Sequence, residues 1–303
     1  MDGFLQMLEL QAVLLVYLVV GVLCNKLGII TRANQQNFID LVIYIFMPCM
    51  IFNSFKSITV EVLVSAFDVF LISMLVCLLS WAAGKVLYRR LPELQRRVAQ
   101  YGTLISNAGF AGLPLAQQTF GDIGLIYGSV YLIPIRFFMW SAGVTMLSSE
   151  RCSPATVAKK LATNPCVIAI FLGLARGFVG VEFPTPVETA ISSLSACVSP
   201  LSMIVVGAII GNVDPRTIFS GSVFYFCGIR LVALPLMAYG LCLVIGADAT
   251  VAGVCLLLSS MPAAASTTLL SAQYGADVEF ASKIVCMSTV LSLVTAPVLM
   301  LLL

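Results

Sequence analysis

The stretch LISNAGFAGLPLAQQTFG, residues 104–121, places an asparagine, three glycines, a proline and two glutamines inside an otherwise apolar run. Gly109 and Gly112 favour a departure from helical geometry, and Pro114 lacks an N–H group and clashes with the helical carbonyl of residue 110. Backbone groups freed at membrane depth are tolerated only where they are buried in protein or line a watered cavity. The stretch therefore predicts a helix that breaks inside a membrane and forms a site there.

The composition indicates an integral membrane protein. Of the 303 residues, 60% are hydrophobic and 10% are charged, and the mean hydropathy is +1.05. The apolar runs of about 20 residues have the length that a helix needs to cross a bilayer. The net charge of +2 gives no sign of a nucleic-acid partner. Because the ten cysteines stand singly and the chain has no histidine, we predict packing cysteines and no metal site.

Hydropathy predicts ten spans, with the first retained rather than cleaved, so the fold class is an all-α, multi-pass protein of the cell membrane. The spans are 4–24, 37–55, 62–88, 100–118, 123–147, 163–180, 187–211, 217–245, 250–272 and 281–303. Loops after odd-numbered spans hold twelve of the 16 Lys and Arg residues, including Arg151 and Arg216, whereas loops after even-numbered spans hold only Lys56 and Arg176. Because positive loops are typical of the cytoplasmic side, we predict that both termini are extracytoplasmic.

The two halves of the chain resemble each other. Pro48 and Pro200 are 152 residues apart, and Gly121 and Gly275 are 154 residues apart. The second spacing aligns LISNAGFAGLPLAQQTFG with LSSMPAAASTTLLSAQYG. Each half has five spans. Because five is an odd number, the second half inserts into the membrane with the opposite orientation, which predicts a 5+5 inverted repeat. The alternative is a chance likeness between apolar segments. The predicted parts are a first repeat at 1–148, a cytoplasmic linker at 149–162 and a second repeat at 163–303.

Spans 4 and 9 carry the polar breaks, and we predict that they cross at the midplane. The half-helix N-termini, each worth roughly half a positive charge, would then point at one place from both sides, which suits an anion. The candidate binding residues at the breaks are Ser106, Asn107, Gly109, Pro114, Ser260, Pro262 and Ser266. The alternative is that glycine and proline only permit close helix packing.

Two arginines lie deep inside predicted spans, Arg136 in span 5 and Arg230 in span 8. A cation at this depth faces a cavity, a partner or a ligand, and either arginine could grip a second carboxylate of a dicarboxylic acid. The alternative is that they snorkel or bond to carbonyl groups of the broken helices.

The blocks SNAGFAGLPLAQQTFG, MPCMIF, SPLSMIVVGAIIG and MPAAASTTLLSAQYG resemble the auxin efflux carrier family, which includes plant PIN carriers and bacterial malate or malonate permeases. The resemblance covers nearly the whole chain. It implies a scaffold of helices 1, 2, 6 and 7, and a mobile transport domain of helices 3–5 and 8–10 that slides as an elevator. It also implies a homodimer.

The resemblance gives roles to individual residues. Asn107 would meet the substrate carboxylate at the crossover, Pro114 and Pro262 would belong to the breaks, and Pro48 and Pro200 would lie on the scaffold face of the site. Many members have an asparagine after the span 9 proline where this chain has Ser266, which leaves the substrate open. The long central loop of the plant carriers is absent.

These observations predict a transporter, secondary active or driven by the membrane potential, of small organic anions: carboxylates such as malate, malonate or auxin-like acids. Lipid and the anion are the predicted partners, and no cofactor is expected. A Na⁺-coupled symporter is the near alternative, since carbonyl and hydroxyl oxygens at broken helices can also bind Na⁺. A membrane receptor without transport is a more distant one. The chain lacks the His, HExxH and GxSxG features of hydrolytic enzymes, so we do not expect an enzyme.

Overall fold

The computed structural model describes residues 2–55, 60–147, 153–212 and 218–303, and nearly all of these residues lie in helices. Within those ranges the only pairing of extended backbone is an isolated bridge between Ser106 and Ala263. Three of the charges used for the topology prediction, Lys56, Arg151 and Arg216, lie outside the described residues. The all-α fold class is confirmed.

The helices follow one another with short connections. Those of the first half are α1 (Asp2–Lys26), α2 (Gln35–Leu41), α3 (Met47–Ser54), α4 (Val60–Leu87), α5 (Glu93–Leu104), α6 (Leu113–Phe138) and α7 (Val144–Leu147). Those of the second half are α8 (Pro154–Ala162), α9 (Pro165–Val179), α10 (Thr185–Ala196), α11 (Val198–Gly211), α12 (Gly221–Gly228), α13 (Leu234–Ile245), α14 (Ala249–Ser259), α15 (Ser266–Gln273) and α16 (Val278–Met300). The predicted linker thus contains a helix, α8.

Among the described residues, six helical stretches are long and apolar enough to cross a membrane. They are Gln35–Ser54, Glu61–Leu87, Ala108–Leu147, Thr185–Gly211, Gly221–Ile245 and Val278–Met300. Shorter apolar helices occur at Ala12–Lys26, Pro165–Val179 and Ala249–Ser259. The chain is therefore a multi-pass membrane protein, while the ten crossings, the inverted repeat and the side on which the termini lie stay predictions.

Segments of π-helix precede three of the prolines. The π segments Val42–Phe46, Ala108–Gly112 and Ile229–Ala233 each end two residues before a proline, namely Pro48, Pro114 and Pro235. A wider turn moves the preceding carbonyls away from the proline ring, and proline in the first turn of the next helix loses no hydrogen bond. Pro114 therefore continues the helix, and the break lies earlier than its position suggested, at residues 105–107.

Two glycines end the half-helices that follow the breaks. Gly121 has φ +68° and ψ −157°, and it turns the chain inside α6 between the regions predicted as spans 4 and 5. Gly275, after α15, has φ +67°. Because residues with a Cβ atom rarely adopt this conformation, the pairing of Gly121 with Gly275 in the sequence corresponds to a shared backbone requirement.

Helices α1 and α11 approach each other closely enough for their backbones to touch. A Cβ atom added to Gly21 would lie 2.0 Å from the carbonyl oxygen of Ile204, and one added to Gly207 would lie 2.0 Å from that of Leu18. Small residues at a contact between membrane helices permit this close packing. The two glycines therefore permit a close contact between α1 and α11 that a larger side chain would prevent.

Candidate functional site

The two broken helices cross at the ends of α5 and α14. Residues 105–107 and 262–264 run antiparallel: the Asn107 N–H donates to the Pro262 carbonyl at 2.8 Å, and the Ala264 N–H donates to the Ile105 carbonyl at 3.3 Å. The Ala263 N–H donates to the Ser288 hydroxyl of α16 at 3.1 Å. Backbone groups freed by the breaks thus satisfy one another inside protein, as a membrane interior requires.

A cavity of about 390 Å³ lies beside this crossing, within the size range of small-molecule sites. Five of the candidate residues from the sequence line it: Ser106, Asn107, Gly109, Arg136 and Ser266. Its wall also includes the first residues of α2 and α9, and the exposed Thr163 stands at its rim. The cavity therefore reaches the surface at the end of the molecule where α2 and α9 begin.

Arg136 brings a positive charge into this cavity. Its side chain is half-buried, its Nε atom has no hydrogen-bond partner, and an Nη atom lies 3.6 Å from the sulfur of Met139. Among the described residues, no acidic group is within salt-bridge distance of it. The other Nη atom would lie 3.3 Å from a Cβ atom on Gly109, next to the start of the π segment that follows the break. An arginine in this setting can donate to a bound carboxylate.

Asn107 forms the floor of the cavity and separates it from a second, smaller space. Its side chain is 2% exposed and its Oδ1 atom is buried without a partner. On its other side, beside Leu115 and Pro262, lies a cavity of only about 20 Å³. Because buried polar atoms normally have partners and an amide oxygen only accepts, this Oδ1 atom calls for a donor such as water, while the amide N–H₂ group is the part of Asn107 that can donate to an anion.

Ser266 is the first residue of α15 and faces the same cavity. Its hydroxyl lies 3.3 Å from the hydroxyl of Tyr101 on α5. The first N–H groups of a helix have no acceptor within the helix, and they carry its partial positive charge. In α15 the N–H groups of Thr267 and Thr268 donate to the carbonyls of Ala264 and Ala265, so its start adds the Ser266 hydroxyl and the partial positive charge of the helix to the wall.

Arg230 lies elsewhere. It is 3% exposed and does not line the cavity, because its donors bond to the carbonyl oxygens of Met261, Thr103 and Ser259 at 3.0–3.2 Å. Of the roles considered from the sequence, Arg230 therefore has the alternative one, in which it bonds to carbonyl groups of the broken helices. It does not contact a ligand in the cavity.

The remaining candidates also lie away from the cavity wall. The Ser260 hydroxyl donates to the Leu257 carbonyl of its own helix at 2.7 Å. Pro262 borders only the small cavity, and Pro114 lies in the first turn of α6. Pro48 and Pro200 are partly buried in α3 and α11, outside the lining.

Several lining residues were missed from the sequence. Gln36 and Asp40 lie one turn apart on α2, and the Gln36 amide donates to the Asp40 carboxylate at 2.7 Å. Trp140 and Asn164 complete this side of the wall. A polar pair at positions i and i+4 at the start of an apolar helix is the signal that could have indicated Gln36 and Asp40.

A further cavity of about 590 Å³ shares Ile39, Ala265 and Leu269 with the first one. Arg32 and Lys283 line it, at the end of the molecule that carries the connection between α15 and α16. The two cavities together form a path from that end to the crossing. Its lining carries both signs of charge, because Lys283 is paired with Glu279 in the second cavity and Asp40 lies in the first. On the other side of Asn107 the space is nearly closed.

Comparison with known proteins gives a consistent family. A profile described as "Membrane transport protein" matches residues 7–155 and 151–300. An "Uncharacterized transporter" of Methanothermobacter thermautotrophicus is 26% identical over 295 residues, 93% of this chain and 94% of the relative. A "Putative malonate transporter" of Rhizobium meliloti is 25% identical over 267 residues, 84% of this chain and 82% of the relative. The chain therefore belongs to the membrane transport protein family, the auxin efflux carrier family to which its sequence blocks point.

Proposed function

We propose that this membrane transporter carries small organic anions, carboxylates of the size of malate or malonate, through the cavity beside the crossing. The observation that carries the proposal is the guanidinium of Arg136, which faces the cavity with its Nε atom unpaired and without an acidic partner among the described residues. The malonate named for the Rhizobium meliloti relative agrees with it.

The charges around the cavity favour an anion over a cation or a neutral solute. Arg136 supplies a full positive charge, and the starts of α15 and of the segment after Asn107 add partial ones. Asp40 is the one acidic residue among the described lining residues of this cavity. A carboxylate would accept from the Arg136 fork, and the second carboxylate of a dicarboxylate would accept from the Asn107 amide N–H₂ group and the Ser266 hydroxyl. Because Arg230 is engaged by carbonyls, Arg136 alone supports the preference for a dicarboxylate.

Alternating access would come from movement of one bundle against another, as in an elevator. The tight packing of α1 on α11 supports a fixed frame, and the bonds of the crossing to Ser288 and Arg230 support a second rigid body that contains both breaks. If the odd-numbered loops are cytoplasmic, as their charge predicts, the open cavity faces the cytoplasm. The homodimer remains an expectation from the resemblance.

The experiment is current from purified protein in liposomes on a solid support, with malate, malonate and indole acetate added in turn. We expect a carboxylate-specific current that Asn107→Ala lowers at least fivefold at low substrate concentration. Asn53→Ala is the matched control, because Asn53 also has a buried amide oxygen without a partner but does not line the cavity. Equal currents from wild type and Asn107→Ala, or none with any of the acids, would refute the proposal. A current that requires Na⁺ would favour the symporter.

A further inference from the structure

Arg230 lies where the negative ends of two half-helices meet. Its Nε atom donates to the carbonyl oxygen of Met261 at 3.0 Å, and its two Nη atoms donate to those of Thr103 at 3.2 Å and Ser259 at 3.1 Å. In the part of the chain that the structure describes, no carboxylate is within salt-bridge distance of this guanidinium. Arg230 thus has backbone carbonyls as its partners in place of an acidic side chain.

The crossing itself leaves these carbonyls open. In a continuous helix, Thr103 would accept from the N–H of Asn107, and Ser259 from the N–H of Ala263. Here the Asn107 N–H donates to the Pro262 carbonyl, and the Ala263 N–H donates to the Ser288 hydroxyl. Both carbonyls therefore need a donor from outside their own helix.

The charges balance at this point. The C-terminal ends of α5 and α14 each carry roughly half a negative charge, so together they amount to about one. Arg230 supplies one positive charge that is permanent, because arginine is not deprotonated in proteins. The guanidinium therefore neutralises both helix ends at once, at a site where its side chain is buried in protein.

We propose that Arg230 is a tethered cation that takes the place of a coupling ion, so that carboxylate transport by this chain needs no Na⁺ or other inorganic cation. In carriers built on broken helices, unwound carbonyls and half-helix C-termini coordinate the coupling cation. Here three such carbonyls are held by a side chain that cannot dissociate. The inference rests on the proposed function.

Arg230 is on this basis a positioning residue, since it contacts the crossing and not the cavity. It keeps the two half-helices together in both the loaded and the empty carrier. Only the charge of the substrate then crosses the membrane, and the sign of the current follows that charge.

The first test uses wild-type protein in liposomes with Na⁺, K⁺ or choline as the sole added cation and malonate as substrate. We expect equal malonate currents in the three cations, within about twofold. A current that appears only with Na⁺ would overturn the inference and leave carboxylate transport standing. No current with malonate, malate or indole acetate in any cation would remove the proposed function and the inference with it.

The second test replaces the tethered cation. In choline, we expect Arg230→Met to lower the malonate current at least tenfold. Added guanidinium ion or Na⁺ should restore part of the current of this variant. The malonate current of Arg230→Lys should stay independent of Na⁺. The control is Arg176→Gln, another buried arginine, whose current should not respond to added cations. A full current from Arg230→Met in choline would overturn the inference. Should this variant not fold, the cation exchange on wild type and Arg230→Lys decides.

Discussion

Replacing Arg136 by glutamine should weaken substrate binding without weakening the fold. The substitution removes the guanidinium that faces the cavity and keeps a side chain whose neutral amide can still donate hydrogen bonds. No acidic residue loses a partner, since none of the described ones is within salt-bridge distance of Arg136. Removal of a half-buried charge of this kind leaves no unpaired counter-charge behind, so we expect an unchanged or slightly higher unfolding temperature.

The size of the effect follows from the bonds that the guanidinium would make. A hydrogen bond to a charged group contributes about 1.5–3 kcal/mol to binding. At about 1.4 kcal/mol for each factor of ten, the Kd for malonate should rise by about 10-fold to about 150-fold. Arg136→Lys keeps the charge but loses the planar fork, so its Kd should lie between those of wild type and Arg136→Gln.

Isothermal titration of the purified protein with malonate measures this Kd directly, and a thermal unfolding curve in the same detergent measures stability. Arg89→Gln is the matched control, because it removes one positive charge at the exposed end of α4, where Arg89 donates to the Lys85 carbonyl. Its Kd should equal that of wild type. If Arg136→Gln binds malonate within about threefold of wild type, Arg136 does not bind the carboxylate and the site is wrong.

Three further predictions concern the frame around the site. Gly207→Val should lower the free energy of unfolding by more than about 3 kcal/mol, because the new Cβ atom would lie 2.0 Å from the backbone oxygen of Leu18. The control is Gly240→Ala, whose Cβ atom would lie in open space and which should leave the unfolding temperature equal or higher. Gly121→Ala should lose about 1–3 kcal/mol, since its φ and ψ belong to a region that is essentially restricted to glycine, and an unchanged melting curve would contradict this. Arg176→Gln breaks the ion pair with Glu188 and should lower stability by about 2 kcal/mol while the KM for malonate stays constant.

The family, the membrane location and the broken helices could be predicted from local sequence. Apolar runs of the right length require a bilayer, and a cluster such as Asn107, Gly109 and Gly112 inside one of them cannot remain a regular buried helix. The helix breaks at residues 105–107 and not at Pro114, because the π segment before Pro114 accommodates the proline without a break. That choice depends on packing against neighbouring helices, which the sequence does not display.

The two arginines illustrate what only the tertiary structure decided. In the sequence, Arg136 and Arg230 are equivalent: each is a lone cation deep in an apolar span, and the physical rule for such residues demands a partner without naming it. The fold brings three carbonyls to Arg230, and the crossing diverts the N–H groups that would have filled two of them, those of Thr103 and Ser259. It supplies none beside Arg136, whose charge therefore remains available in the cavity. Charge and depth are properties of the chain, whereas the identity of a partner depends on which distant segments the fold brings within 3 Å or so of it.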